Sequence, residues 1–265
     1  MEIPAIGLGT WELTGENCVK TVQLALRVGY RHIDTAHVYE NHEAIKKGLE
    51  SFDREKLFLT SKLAIDEEIN LSDIETSVQR ACEKTLKELG TDYLDLYLIH
   101  WPVPNFPHVE IYKAMERLVE QGKVIQIGVS NYKIHHLEAL QSQGMRPFAN
   151  QVEFHPLLNQ VELLDYCASH QIKLISYRPF GKGKLLNEEP LLAQIGEKYG
   201  KNGAQVILRW LMQKKIPAIP KASSELHLKQ NLDILNFELT SDEMKKLNSL
   251  GKNHRYCQPD NPAFD

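Results

Sequence analysis

Several large classes of protein leave marks that this sequence lacks. Nowhere do about 18 apolar residues follow one another, so no membrane-spanning helix is predicted. The net charge is only −4, and no cluster of basic residues indicates binding to nucleic acid. The first 16 residues contain no basic segment followed by an apolar run, as a signal peptide would, and we expect a cytoplasmic protein. The four cysteines are far apart and form no C-x-x-C pair, which argues against disulfides and thiolate zinc sites.

Metal binding and oligomerisation also lack a sequence signal. The pair His135–His136 and the set His32, His37 and His42 do not show the i, i+4 helical spacing with an acidic third ligand that a metal site would favour. We therefore predict no metal ion. Because no exposed apolar stripe calls for a partner subunit, we expect a monomer.

What the sequence does contain is an alternation of short apolar runs with segments of helical period along its whole length. The clearest unit begins with a predicted capping box at residues 72–75, continues as an amphipathic helix to Gly90, and is followed by an apolar strand at 93–100. The candidate strands are 5–10, 31–36, 57–62, 93–100, 124–130, 149–154, 173–178 and 216–220.

Eight parallel strands with intervening helices can close into a barrel that has no unpaired edge. We therefore predict a single-domain (β/α)8 barrel over residues 1–265, with residues 253–265 as a C-terminal arm. An open, doubly wound sheet is the competing fold. Its nucleotide-binding signature is missing, because Gly7-x-Gly9 is followed by Glu12 where a third small residue belongs.

Polar side chains follow the predicted strands at their carboxyl ends, where the chemistry of a barrel takes place. Leaving such groups buried without a partner would cost about 1–3 kcal/mol each, so their repetition needs a reason. In strand order they are Thr10, Trp11, Asp34, Tyr39, Lys62, His100, Trp101, Ser130, Asn131, Gln151, Tyr177 and Lys221.

Four of these residues form a chemically economical set. The Lys62 ammonium beside Tyr39 would lower the phenol's pKa from its usual value of about 10 and make it a usable acid. Asp34 would hold Lys62 charged, and His100 would donate a hydrogen bond to a substrate oxygen. Such a site suits a carbonyl group that receives a proton at oxygen and a hydride at carbon. Since no side chain can supply a hydride, a nicotinamide cofactor is implied.

Six spaced sequence blocks resemble the successive signatures of the aldo/keto reductase family, in the right order and over nearly the whole chain. The blocks are Gly29–Ala36 with Tyr39 and Asn41, Ser61–Lys62, Leu98–Pro102, Gly128–Asn131, Asn150–Gln151 and Ile219–Lys221. The opening residues 3–10 and the short loops are most similar to compact bacterial members of the 2,5-diketogluconate reductase B type.

The resemblance implies roles for individual residues. Asp34, Tyr39, Lys62 and His100 match the family's catalytic tetrad, with Tyr39 as proton donor and NADPH as the usual reductant. Trp11 and Trp101 match walls of the substrate pocket. Ser130, Asn131 and Gln151 match residues that bind the nicotinamide carboxamide, and Tyr177 matches the ring stacked on it. Lys221 and Ser224 fall where the family binds the adenosine 2′-phosphate, and Asn231 where it meets adenine. Thr10 and His227 are also assigned to the cofactor site.

Departures from the family pattern concern the cofactor. Ala222, His227 and Gln230 stand where Ser, Arg and Glu are common, and a histidine is a weaker, pH-dependent partner for phosphate than a bidentate arginine. The preference for NADPH over NADH is therefore less strongly indicated than the reaction. Arg178 replaces a common serine, and either an approach to the pyrophosphate or a surface ion pair would explain it.

The function predicted is NADPH-dependent reduction of small aldehydes or ketones, such as methylglyoxal-like dicarbonyls or keto sugars. The short loop at residues 103–108 suggests an open pocket. A catalytically silent nucleotide-binding protein on the same barrel is the main alternative. A lyase or isomerase that uses Lys62 as a Schiff base is a third hypothesis.

Overall fold

The computed structural model describes residues 2–65, 69–104 and 106–257. Within these ranges the chain forms a parallel sheet in which the strand order follows the sequence from the first strand to the eighth. The eighth strand returns to the first through Gly7 N–H donating to Ala218 O at 2.8 Å and Gly9 N–H donating to Pro220 O at 3.1 Å. The sheet is thereby closed, and the fold is the predicted (β/α)8 barrel.

The strands are β1 (Leu8–Gly9), β2 (His32–Asp34), β3 (Phe58–Leu63), β4 (Leu94–Ile99), β5 (Val124–Ser130), β6 (Ala149–Glu153), β7 (Lys173–Tyr177) and β8 (Ala218–Ile219). The helices are α1 (Gly15–Val28), α2 (His42–Leu49), α3 (Ile74–Leu89), α4 (His108–Glu120), α5 (Ile134–Gln141), α6 (Val161–Ser169), α7 (Lys184–Glu188), α8 (Pro190–Tyr199), α9 (Gly203–Gln213), α10 (Glu225–Leu232) and α11 (Ser241–Asn248). Short 3₁₀ turns lie at His37–Tyr39, Arg54–Lys56 and Gly181–Gly183.

All the predicted strands are present, although β1, β2 and β8 are shorter than their apolar runs. One local prediction was wrong. The residue that caps α3 is Asp73 and not Ser72, and its carboxylate accepts a hydrogen bond from Thr76 N at 3.3 Å. A carboxylate one residue later also meets the positive end of the helix dipole, which favours that register. Gly90 ends α3 in the left-handed conformation, as predicted.

Two apolar layers explain why β4 is apolar at nearly every position. Leu96 and Leu98 belong to a small cluster inside the barrel, together with Ile3, Ala149, Ile175 and others. Tyr97 and Ile99 point the opposite way, into the larger core between the strands and the helices. A strand covered on both faces has no side that tolerates polar residues, so the usual alternation disappears.

The described part of the C-terminal arm, residues 253–257, lies over the carboxyl ends of β6 and β7. Glu153 at the end of β6 is fully buried, and its two carboxylate oxygens accept hydrogen bonds from Tyr256 N at 2.7 Å and Cys257 N at 2.8 Å. His155 Nε2 lies 3.0 Å from the same carboxylate. A buried carboxylate thus fixes the arm to the barrel, while residues 258–265 of the predicted arm lie outside the described residues.

We expect Glu153→Gln to loosen the arm. The amide NH₂ group of glutamine would face the backbone N–H of Tyr256 or Cys257, and two donors cannot form a hydrogen bond with each other. The loss of one satisfied buried group predicts a free energy of unfolding lower by about 1–3 kcal/mol. Amide hydrogen exchange at Tyr256 and Cys257 should accelerate. Glu162→Gln, which changes an exposed carboxylate of α6, serves as the control and should leave exchange unchanged. Unaltered protection in Glu153→Gln would show that other contacts hold the arm.

Candidate active site

A cavity of about 600 Å³ opens at the carboxyl ends of the strands. The predicted residues that line it are Thr10, Trp11, Asp34, Tyr39, His100, Trp101, Ser130, Asn131, Gln151, Tyr177 and Lys221. They come from β1 through β8 and the loops that follow, so closing the barrel is what brings them together. Lys62 lies directly behind this lining, whereas Ser224, His227 and Asn231 are outside it, on and next to α10.

The floor of the cavity is organised around Lys62, whose side chain is only 1% exposed. Its ammonium donates hydrogen bonds to Asp34 Oδ1 at 2.5 Å and to Thr35 O at 2.9 Å. The third direction points to the hydroxyl of Tyr39, with 3.4 Å between Nζ and the phenol oxygen. The three protons of the ammonium are therefore directed at three separate oxygens, and two of the partner residues, Asp34 and Tyr39, line the cavity.

The electrostatics agree with a permanently charged Lys62. Burial opposes the ammonium, but the charge of Asp34 and the hydrogen bonds to Asp34 and Tyr39 overcome it and raise the pKa of Lys62 above its usual value. Burial raises the pKa of Asp34 as well, against the pull of Lys62 and of Gln151. A buried pair of this kind stays ionised because separating the charges or neutralising one of them would leave the other unpaired.

The effect of Lys62 on Tyr39 corrects one expectation. Burial raises the pKa of Tyr39 and Lys62 only opposes that rise, so the phenol's pKa is above its ordinary value rather than below it. Desolvation of the phenolate outweighs one ammonium that is itself paired with Asp34. Tyr39 is therefore protonated at neutral pH, and the Lys62 ammonium lies beside its hydroxyl.

His100 forms the wall beside Tyr39. The two ring centres lie 5.7 Å apart at an interplanar angle of 72°, and Trp11 meets Tyr39 edge-on from the other side at 4.8 Å. Burial, reinforced by the charge of Lys62, lowers the pKa of His100 well below its usual value. The imidazole is consequently neutral, which suits a hydrogen-bonding group better than a general acid.

A hydrogen-bonded chain of amides and hydroxyls continues from Asp34 across β5, β6 and β7. Gln151 Nε2 donates to Asp34 Oδ2 at 2.7 Å, and Ser130 Oγ donates to Gln151 O at 2.8 Å. Asn131 Nδ2 donates to Ser130 Oγ at 3.1 Å, and the hydroxyl of Tyr177 donates to Asn131 Oδ1 at 2.8 Å. These four residues were predicted to surround a nicotinamide ring, and the structure brings all of them to one side of the cavity.

At the mouth of the cavity Glu12 joins two lysines that belong to different loops. Its carboxylate accepts hydrogen bonds from Lys182 Nζ at 3.1 Å and Lys221 Nζ at 2.9 Å. These contacts lower the pKa of Glu12 to about 2. Sequence reasoning missed this role, because Glu12 was read only as the residue that breaks a glycine pattern. Its positive φ of 64° turns the side chain out of the β1 loop toward the lysines.

The residues expected near the outer part of the cofactor lie around the start of α10. Ser224 caps this helix by accepting a hydrogen bond from His227 N at 3.3 Å, and both residues are exposed. Asn231, one turn further on, is buried, and its Nδ2 has no hydrogen-bond partner among the described residues. A buried amide with an unused donor fits a site completed by a polar ligand such as a nucleotide base.

Arg178 follows Tyr177 with a positive φ of 48° and lines the cavity. Its Nη1 donates to Tyr256 O at 3.4 Å. Burial raises the pKa values of Tyr39 and Cys257, and the charge of Arg178 opposes part of that rise. Among the described residues Arg178 forms no ion pair, so the surface ion pair considered from the sequence is absent there. The guanidinium instead contributes positive potential to the cavity itself.

The lining also includes residues that sequence reasoning did not assign to the site, among them Val38, Phe180, Lys182 and Cys257. Phe180 and Lys182 lie within five residues of Tyr177, so the position of their loop after β7 could have indicated them. Cys257 could not have been found, because only the attachment of the C-terminal arm to Glu153 brings it to the cavity.

Comparison with known proteins agrees with this geometry. The model of the aldo/keto reductase family matches residues 5–252. The chain is a member of the aldo/keto reductase family. A glyoxal reductase of Bacillus subtilis (strain 168) is 42% identical over 259 residues, which is 96% of this chain and 91% of that protein.

Solved structures show a similar fold at lower sequence identity. A protein described as a 2,5-diketo-D-gluconic acid reductase B shares 33% identity at a TM-score of 0.91, with 98% of this chain and 92% of that one covered. The Bombyx mori enzyme, solved in complex with NADP, shares 32% identity at a TM-score of 0.89 and covers 99% and 95%. These aldo/keto reductases are oxidoreductases that use nicotinamide cofactors, and the present chain is an oxidoreductase of the same family.

In this aldo/keto reductase one buried amide fixes the two loops that carry Trp11 and Tyr39. Asn41 Nδ2 donates to Thr10 O at 2.9 Å and to Leu13 O at 3.0 Å, while Asn41 Oδ1 accepts from Thr35 Oγ1 at 2.8 Å. The side chain therefore uses both its donors and its acceptor. Its position in the β2 loop, opposite the β1 loop, sets the distance between the two aromatic walls.

We expect Asn41→Ala to lower the free energy of unfolding by about 1–3 kcal/mol, because Leu13 O loses the donor and Thr35 Oγ1 loses the acceptor that the Asn41 side chain provides. Urea-induced unfolding followed by tryptophan fluorescence measures this loss. Asn70→Ala is the matched control, since Asn70 is exposed and, among the residues that the structure describes, its side chain accepts hydrogen bonds only from nearby Ser72. Equal stability of the two variants would contradict the role assigned to Asn41.

Proposed function

We propose that this aldo/keto reductase uses NADPH to reduce small aldehydes and ketones to alcohols, with Tyr39 as the proton donor. The observation that carries the proposal is the 3.4 Å contact between Lys62 Nζ and the Tyr39 hydroxyl at the floor of a cavity. A protonated phenol that faces the cavity, with an ammonium behind it, can release a proton and keep the resulting negative charge. Few other chemistries need that combination.

The carbonyl oxygen of a substrate would lie between the Tyr39 hydroxyl and the neutral His100 ring. His100 would orient this oxygen by a hydrogen bond, and Trp11, which is 41% exposed, and Trp101 would shield it from water. When bound, the reduced nicotinamide supplies the hydride for the carbonyl carbon. Tyr39 gives its proton to the oxygen, and the charge left on the phenol is stabilised by Lys62. Asp34 keeps that ammonium in position.

The residues available for NADPH are consistent with this role. Ser130, Asn131 and Gln151 offer amide and hydroxyl groups where the nicotinamide carboxamide would lie, and Tyr177 offers a ring to stack on it. Thr10, Lys221, Ser224 and His227 would meet the phosphate-bearing part, and the unused Nδ2 of Asn231 would meet the adenine. The NADP complex of the Bombyx mori relative supports a cofactor with a 2′-phosphate, NADPH, for this chain as well.

For the substrate we infer a small polar carbonyl compound such as an α-dicarbonyl of the methylglyoxal type or a keto sugar. The named activity of the Bacillus subtilis relative, reduction of glyoxal, supports the dicarbonyl class. The cavity of about 600 Å³ also has to hold the nicotinamide, which leaves limited room for the carbonyl compound. The charge of Arg178 favours substrates that are polar or anionic.

A small-molecule enzyme of this kind needs no nucleic acid and no membrane partner, and we infer a cytoplasmic monomer. The near balance of charges, 31 basic against 35 acidic residues, supports the absence of a nucleic-acid partner. No helix among the described residues is long and apolar enough to cross a membrane.

The proposal is tested by following the oxidation of NADPH in the presence of a panel of small carbonyl compounds. We expect Tyr39→Phe to lose about 10²-fold or more in kcat, the scale of general acid catalysis, and to keep its affinity for NADPH. Tyr166→Phe, on the surface of α6, is the control and should remain active.

Two outcomes would favour the alternatives. A wild-type protein that binds NADPH and never oxidises it would be a nucleotide-binding protein without turnover. Trapping of a carbonyl compound on Lys62 by borohydride would indicate a Schiff-base enzyme. The three hydrogen-bond partners of the charged Lys62 argue against that chemistry, which needs a neutral amine.

The preference for NADPH depends on the partners of Lys221. Because Glu12 holds Lys221 in an exposed ion pair, we expect Glu12→Gln to free the lysine and tighten NADPH binding about two- to fivefold, the range typical of such pairs. NADH should gain less, since it lacks the 2′-phosphate. Fluorescence titrations with both cofactors measure the effect, and Glu40→Gln serves as the control. Weaker NADPH binding in Glu12→Gln would instead show that the Glu12 bridge holds the cofactor in place.

A further inference from the structure

A second group of polar side chains lies outside the cavity, on the helix side of the barrel behind Tyr39. It consists of His37, in the 3₁₀ turn that ends at Tyr39, His42, the first residue of α2, and Glu88, in the last turn of α3. One ligand atom from each residue lies within 4.8 Å of those from the other two. The carbonyl chemistry proposed above uses none of these three side chains.

We propose that His37, His42 and Glu88 bind a divalent transition-metal ion of the zinc type. Two imidazoles and one carboxylate form a ligand set that suits zinc and cobalt and leaves a coordination position for water. Sequence reasoning rejected a metal at His37 and His42 because an acidic third ligand at helical spacing was absent. The structure supplies that ligand from α3, 46 residues further along the chain than His42.

Two of the three proposed ligands, His42 and Glu88, are already in contact. His42 Nδ1 lies 2.9 Å from Glu88 Oε2, and His42 is almost fully buried. On its other edge, His42 Nε2 lies 3.2 Å from Ser61 Oγ, which fixes the plane of the ring. Metal-bound histidines are commonly held by such a second hydrogen bond from the nitrogen that does not bind the ion.

The remaining adjustment is small. Zinc binds nitrogen and oxygen ligands at about 2.0–2.2 Å, so two ligand atoms around one ion are separated by about 3–4 Å. The proposed site requires the side chains of His37 and Glu88 to rotate so that the 4.8 Å separation shortens, and both side chains are partly exposed. The ring centres of His37 and His42 are 6.2 Å apart, which is compatible with both rings reaching a common ion.

A metal ion binds the neutral form of an imidazole and displaces the proton from the ring nitrogen that it contacts. Metal binding at Nδ1 moves the ring proton to Nε2, from which it is donated to Ser61 Oγ. The nearby charge of Lys62 is paired with Asp34, and the carboxylate of Glu88 offsets part of the charge of the ion.

The experiment is a titration of the purified, metal-free protein with Zn²⁺ by calorimetry and with Co²⁺ by visible absorption. We expect one ion per chain and visible cobalt absorption bands typical of four-coordinate cobalt, with three protein ligands and one water. His37→Asn and Glu88→Gln should each weaken binding about tenfold or more. Because the readout is metal binding and not turnover, its failure would leave the proposed carbonyl reduction untouched.

His136→Asn is the matched control, since His136 belongs to another group of neighbouring histidines, with His108 at 6.4 Å and His135 at 3.9 Å between ring centres. This variant should bind zinc as the wild type does. If His136→Asn lost zinc binding while His37→Asn kept it, the ion would lie at the cluster of His108, His135 and His136, and the proposal would be overturned. The absence of saturable binding to the wild type would overturn it as well.

Discussion

The arrangement of the cavity depends on one constraint, which is that the buried ammonium of Lys62 must be neutralised. A lysine that is 1% exposed can stay charged only if an anion and further acceptors surround it. Asp34 supplies the anion from the neighbouring strand, and Thr35 supplies a backbone carbonyl. The only remaining direction for the ammonium leads to Tyr39, so the need to satisfy a buried charge also positions the phenol.

Through Asp34, the hydrogen bonds that neutralise Lys62 are connected to residues of β5, β6 and β7. Its second carboxylate oxygen accepts from Gln151, which is linked to Ser130 and so to Asn131 and Tyr177. A change at the position of the ammonium would therefore be felt on the opposite side of the barrel, where the nicotinamide is proposed to lie. Networks of this type are rigid when every member is satisfied, and a rigid site holds reacting groups without reorganisation.

The loops around the cavity are fixed by a different device, which is a buried polar side chain that bonds to the backbone of another loop. Asn41 does this for the first two loops and Glu153 for the C-terminal arm. The Glu12 bridge, by contrast, is exposed, and its two lysines can exchange the Glu12 carboxylate for a phosphate group. Buried anchors set the shape of the cavity, whereas the exposed bridge at its mouth leaves it able to admit a cofactor.

The sequence by itself determined the barrel, its eight strands and the identity of the residues at the strand ends, because burial on both faces and the regular alternation with helices leave local signals. It also carried the family resemblance. The contacts of Glu12, Cys257 and Glu88 were decided only by the tertiary structure. Each depends on segments far apart in the chain, joined by barrel closure or by helix packing, and local patterns contain no information about such distances. The direction of the Tyr39 pKa was decided there as well, since the sequence shows that a cation is present and only the folded chain shows how much water has been removed around the phenol.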